Sequence, residues 1–118
     1  MNGVIVVTFA RFFVLAGLGI SIAGSGARAE DVATFKLMLQ DHAFVPTEVK
    51  VPAGKPFRLA LHNGDSTPAE FESKTLKFEK VVAGSADATV NVRALDAGKY
   101  LFYDDYHEDE AKGFVVAE

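Results

Sequence analysis

The stretch GKYLFYDDYHEDEAKGFVV, from Gly98 to Val116, combines the alternation of a strand with the polar cluster of a site. Gly98 opens a turn, Tyr100 and Phe102 alternate with Leu101 and Tyr103 as a half-buried strand, and Gly113 re-enters a second strand running from Phe114 to Val116. The connection between the two packs Asp104, Asp105, His107, Glu108, Asp109 and Glu110 into seven positions. A simple connection needs no such density of anionic and imidazole donors, so the loop is read as a site for a metal ion.

Working outward, the same period of two recurs along the chain. Thr34 to Gln40 alternates Phe35, Leu37 and Leu39 against Lys36, Met38 and Gln40. Asp41, His42 and Ala43 leave that strand, Phe44 is read as a core plug, and Pro46 breaks the run before a short strand over Glu48 to Val51. Pro56 to Asn63 sets Phe57, Leu59 and Leu61 against Arg58, Ala60 and His62. Glu70 to Ser73 is too short to assign by itself, Leu76 to Val82 is expected to turn Leu76, Phe78 and Val81 inward, and Ala88 to Arg93 alternates Val90 and Val92 with polar residues. Many short strands with Gly, Pro and Asp turns between them, and no helical period after the first apolar run, predict an all-β Greek-key sandwich.

That first apolar run is treated separately. Phe12 to Ile22 follows Arg11, and Ala27-Arg28-Ala29 is a small-x-small cleavage signal, so residues 1–29 are expected to be a secretory signal peptide and 30–118 the exported domain. The alternative is an uncleaved anchor, for which Val4 to Gly26 is long enough to span a bilayer. Cleavage removes Arg11 and Arg28 and no acid, leaving ten Lys and Arg against sixteen Asp and Glu, a net charge of −6. Such a surface disfavours nucleic acid and suits cations or a basic partner. There is no Cys, so no disulfide supports this small domain, which must rely on aromatic residues, paired strands or a bound metal.

The order strand, donor, two residues, His, short loop, Gly, last strand resembles the copper-binding loop of the small cupredoxins. On that resemblance Asp104 stands where the family has its Cys, His107 where it has a His, and Glu110 to Lys112 cover the place of its Met. The family's first His follows a Pro a few residues after a strand-end Asn. Here the matching run HNGDSTPAEFES has Asn63 and Pro68, and then Ala69. FVPTEVKVPAGKPFRLALHN, residues 44–63, is similar to the front half of cupredoxin-like domains, so the likeness spans nearly the whole exported part and implies a sandwich of the cupredoxin type. A narrower resemblance rests on PAEFES, then TLKFEKVV, then the FYDDYH loop. It points to the periplasmic cupredoxins that accompany iron permeases in bacterial ferrous-iron uptake, and implies a periplasmic protein with an iron permease as partner.

A blue-copper centre needs a thiolate with two imidazoles and a weak axial thioether, and this chain has no thiolate to supply. Carboxylate with imidazole suits copper(II), iron, manganese or zinc instead, and donor type alone does not choose among them. The resemblance makes Asp104 and His107 the first candidate ligands. Glu70 directly follows the missing His position, Glu72 shares its face if EFES is extended, Asp41 ends a strand near the metal-binding loops of that fold, and Glu110 lies where the Met would be. Glu108 and Asp109 are read as solvated loop acids and Asp105 as pointing to the opposite side. His62 is read as solvent-facing and Met38 as packing, while His42 is either a loop histidine or a ligand. Tyr103 and Tyr106 are packing residues that could also pass an electron.

No GxSxG, no Cys nucleophile and no phosphate-cradling loop is present, which leaves hydrolase and nucleotide chemistry without a basis. Two functional classes stay open. One is a copper- and/or iron-binding protein that assists Fe(II) oxidation or relays iron to a permease, and the other is a metal carrier or partner-docking module without turnover.

Overall fold

The computed structural model describes residues 32–118, and the expected signal peptide lies outside them. The strands are β1 (Ala33–Gln40), β2 (Ala43–Val45), β3 (Glu48–Val51), β4 (Phe57–Asn63), β5 (Ala69–Ser73), β6 (Phe78–Val82), β7 (Asp87–Val92), β8 (Gly98–Asp104) and β9 (Lys112–Ala117), with a 3-10 turn over Asp105–His107. They form two sheets, ordered β2-β1-β4-β7 and β3-β9-β8-β5-β6. β1 runs parallel to β4 and β3 parallel to β9, while the remaining pairs are antiparallel. The chain crosses repeatedly between the sheets, as the expected Greek-key sandwich requires.

Period-two alternation fills the space between the sheets. Leu37 and Leu39 of β1 and Phe57, Leu59 and Leu61 of β4 are buried, as are Phe71, Phe102 and Val115 of the other sheet. Each such side chain contributes about 1.5–3 kcal/mol by leaving water. Phe44 is the plug expected of it: its ring meets Phe71 and Phe102 edge-on, with centroids 5.6 and 4.9 Å apart. Gly113 allows β9 to pass over Phe102, since a Cβ there would lie 2.5 Å from that ring.

Two local expectations change. Glu70 to Ser73 is part of a real strand, β5, with Ala69, Phe71 and Ser73 inward and Glu70 and Glu72 outward. Val81, expected inside, is 54% exposed. The alternation runs through from Leu76 to Phe78 and Val82, so Val81 lies out of step with it and falls on the opposite face. β6 therefore pairs Phe78 with Ser73 and Val82 with Ala69 on the inner face, leaving Glu79 opposite Glu72 and Val81 opposite Glu70 on the outer face.

Candidate metal centre

Asn63, fully buried at the end of β4, organises one end of the sandwich. Its amide nitrogen donates to Thr67 O, Val82 O and Ala83 O, and its Oδ1 accepts the N–H of Asp65 at 3.0 Å. Asp65 then reaches across to the β1–β2 turn, where Oδ1 accepts Asp41 N–H at 2.6 Å and Oδ2 accepts His42 N–H at 3.0 Å. Asp41 and His42 form a two-residue hairpin turn with φ of 53° and 58°. Left-handed backbone costs a non-glycine residue about 1–2 kcal/mol, and the paired hydrogen bonds to one carboxylate offset it. Those bonds hold the Asp65 carboxyl below the usual range, His42 N–H first, against the opposing effect of burial.

Asp104 ends β8 and is 0% exposed. Its Oδ1 accepts Glu70 N–H at 2.9 Å and Tyr106 N–H at 3.0 Å, capping the 3-10 turn, and its Oδ2 faces His107 Nδ1 at 3.0 Å. An ionised carboxylate only accepts, so Nδ1 of His107 donates in this bond, and in the neutral ring Nε2 keeps its lone pair. The turn brings the His107 ring against that of His42, with centroids 4.2 Å apart and planes inclined at 38°. Asp104 thus works as a buried anchor of the loop, with both oxygens engaged by the protein.

A second group lies on the outer face of the β5–β6 edge. Glu70, Glu72 and Glu79 each bring a carboxylate oxygen within 4.8 Å of the others. Strand parity puts Glu70 and Glu72 on one face, and the β5–β6 register sets Glu79 directly opposite Glu72. The Glu70 carboxyl is pushed up, first by desolvation, then by its hydrogen bond with Glu79 and the repulsion of Glu79, Asp105 and Glu72. Tyr103, opposite Glu72 on β8, is also pushed up by desolvation and by the charge and hydrogen bond of Glu72.

The structure therefore brings Glu70 and Glu72 together and adds Glu79, which is not among the residues singled out in the sequence. It joins Asp104 to His107 through a hydrogen bond, and it joins His42 to His107 by ring contact. Asp41 lines a cleft of about 370 Å³ with His42 and Asp65, and its main-chain N–H carries its contact to Asp65. Glu110 is exposed in the loop after the 3-10 turn, where its N–H donates to His107 O. His62 is engaged by Asp87 Oδ1 at 2.7 Å, its register partner on β7 of the same sheet. The signal that could have revealed His42 is its place in a two-residue turn, where Gly is the usual occupant of the second position.

The donor set does not fit a blue-copper ion. No thiolate exists in the chain, Asp104 offers a carboxylate, and the residue after Pro68 is the buried methyl of Ala69. Carboxylate oxygens with imidazole nitrogens fit harder or borderline cations.

Comparison with known proteins agrees with the architecture. The family described as the cupredoxin-like domain matches residues 10–117. An uncharacterised protein of Rickettsia prowazekii (strain Madrid E) is 38% identical over 87 residues, spanning 74% of this chain and 70% of its own length. Auracyanin A, a blue copper protein of Chloroflexus aurantiacus, is similar in structure with a TM-score of 0.64 at 16% identity, over 75% of this chain and 100% of that one. The metal-binding domain of the Cu(I)-exporting P-type ATPase of Streptococcus pneumoniae D39 is similar with a TM-score of 0.64 at 10% identity, over 72% of this chain and 84% of that one. At such identities the likeness to the solved structures concerns the fold.

Proposed function

The chain belongs to the cupredoxin-like domain family, and on that premise we propose that it is an exported, periplasmic metal-binding domain that handles iron at the carboxylate face of β5 and β6. The observation that carries this reading is the trio Glu70, Glu72 and Glu79, whose carboxylate oxygens lie within 4.8 Å of one another. Three anionic oxygens stabilise Fe(III) over Fe(II), because the harder and more highly charged ion gains more from them. Iron is the cargo or substrate of this face. Glu70, whose carboxyl is pushed up by desolvation and by its acidic neighbours, must release its proton to bind it, and Tyr103 lies beside Glu72 on the neighbouring strand. Asp104 sets the position of Glu70 through the main chain and does not need to touch the ion. The leader-like N-terminus and the likeness to cupredoxins of ferrous-iron uptake support export and an iron permease as the recipient.

The test follows Fe(III) formation from Fe(II) in air and without oxygen, with limiting protein. Oxidation over several turnovers that is slowed in Glu79→Gln supports an oxidase role. Oxidation that stops at one equivalent supports the carrier reading, and a rate equal to buffer with no bound iron removes both.

A further inference from the structure

His42 stands in a position that turn chemistry would give to glycine. In a two-residue hairpin turn with both φ positive, Gly is favoured at the second residue, yet here the chain carries an imidazole at φ 58°. Dedicated groups keep it there: Asp65 binds the N–H of both turn residues, and Asn63 binds Asp65. Departures from local preference that are held by the surrounding structure concentrate at functional sites.

The ring so placed lies 4.2 Å from that of His107, centroid to centroid. Each ring has a carboxylate at its Nδ1, Asp65 Oδ2 at 3.5 Å for His42 and Asp104 Oδ2 at 3.0 Å for His107, and the two side chains are 40% and 32% exposed. Nδ1 of His42 is buried and makes no hydrogen bond. A cation bound to the opposite nitrogen makes Nδ1–H a stronger donor and draws it toward Asp65, as it would strengthen the existing bond from His107 to Asp104.

We infer that His42 and His107 together form a two-nitrogen site for a borderline divalent cation of the Cu(II) or Zn(II) class, separate from the carboxylate trio. Imidazole is a preferred donor for both ions, and a carboxylate behind each ring raises its basicity and fixes its tautomer. The second nitrogen comes from the β1–β2 turn, because Ala69 follows Pro68 and offers none. Water or an external ligand completes the coordination on the open side, next to the cleft lined by Asp41, His42 and Asp65. This site does not depend on iron binding at Glu70, Glu72 and Glu79.

One equivalent of Cu(II) is added to the purified protein, and pulsed EPR is read for the number of coordinated imidazoles while competition titration gives the affinity. Two imidazoles are expected. His42→Gly and His107→Gln should each leave one and weaken Cu(II) binding at least about tenfold. His62→Gln and Glu79→Gln should change neither reading, whereas Glu79→Gln should weaken Fe(III) binding, so the two sites fail separately. One imidazole or none in the wild type, or an unchanged His42→Gly protein, overturns the inference. Because Gly suits the turn, the thermal midpoint of His42→Gly should not fall. If it does, Zn(II) added to the wild type decides: ring signals of His42 and His107 must shift while those of His62 stay, and any other pattern overturns the site.

Discussion

Asp104 Oδ1 accepts the main-chain N–H of Glu70 at 2.9 Å, a bond between residues 34 apart that ties the last loop of the sandwich to the carboxylate face of β5. The same carboxylate caps the 3-10 turn and engages His107, so one buried side chain fixes parts of both candidate sites.

Asp104→Ala is therefore expected to act first on stability. It leaves two main-chain donors and an imidazole without their partner, and an unsatisfied buried donor costs about 1–3 kcal/mol. The total loss should be roughly 2–5 kcal/mol, read as a lower urea midpoint at unchanged slope. Iron binding should also weaken, because Glu70 loses the carboxylate that holds its main chain.

The Cu(II) form of the protein should lack the intense visible charge-transfer band of blue copper. That band requires a thiolate, and the chain has no Cys. Absorption spectroscopy of the Cu(II)-loaded protein should show weak d–d bands only.

Glu79→Gln and Glu108→Gln separate a site from a solvated face. Glu79 lies in the trio with Glu70 and Glu72, whereas Glu108 is exposed and outside it. Calorimetric titration with Mn(II), a probe stable in air, should show at least about a tenfold loss of affinity for Glu79→Gln, since even outer partners of metal ligands are worth 10–100-fold. Glu108→Gln should bind like the wild type.

The acidic groups give opposite pH signatures. Asp65 has a lowered carboxyl, so its contribution to stability is present above the ordinary value of 3.8 and is lost as pH falls through the lowered one. Glu70 has a raised carboxyl, so its contribution is fully present below the ordinary value of 4.5 and is lost as pH rises through the raised one. The metal-free protein should thus lose part of its thermal stability as pH rises above 4.5, and Glu79→Gln should flatten that decline by removing the carboxylate whose charge repels Glu70. Mn(II) should reverse the trend, since it binds the deprotonated trio and its uptake releases protons.

The residues themselves determined the strands and the sandwich. Phe57, Leu59 and Leu61, like Phe35, Leu37 and Leu39, alternate with polar neighbours, and a period of two assigns each side chain to a face without knowledge of the partner strand. The same parity made Glu70 and Glu72 neighbours before any sheet was known. The tertiary structure decided the rest. Glu79 joins that pair only through the β5–β6 register, which is invisible to alternation. His42 meets His107 because Asn63 holds Asp65, and Asp65 in turn holds a strained turn 23 residues earlier. Asp104 is a candidate ligand from its place in the chain, and only the fold shows the hydrogen bonds that also make it an anchor of the loop. Side-chain direction is a local property of the backbone, but register and hydrogen-bond partners are set between segments far apart in sequence, where packing of the whole sandwich selects one arrangement.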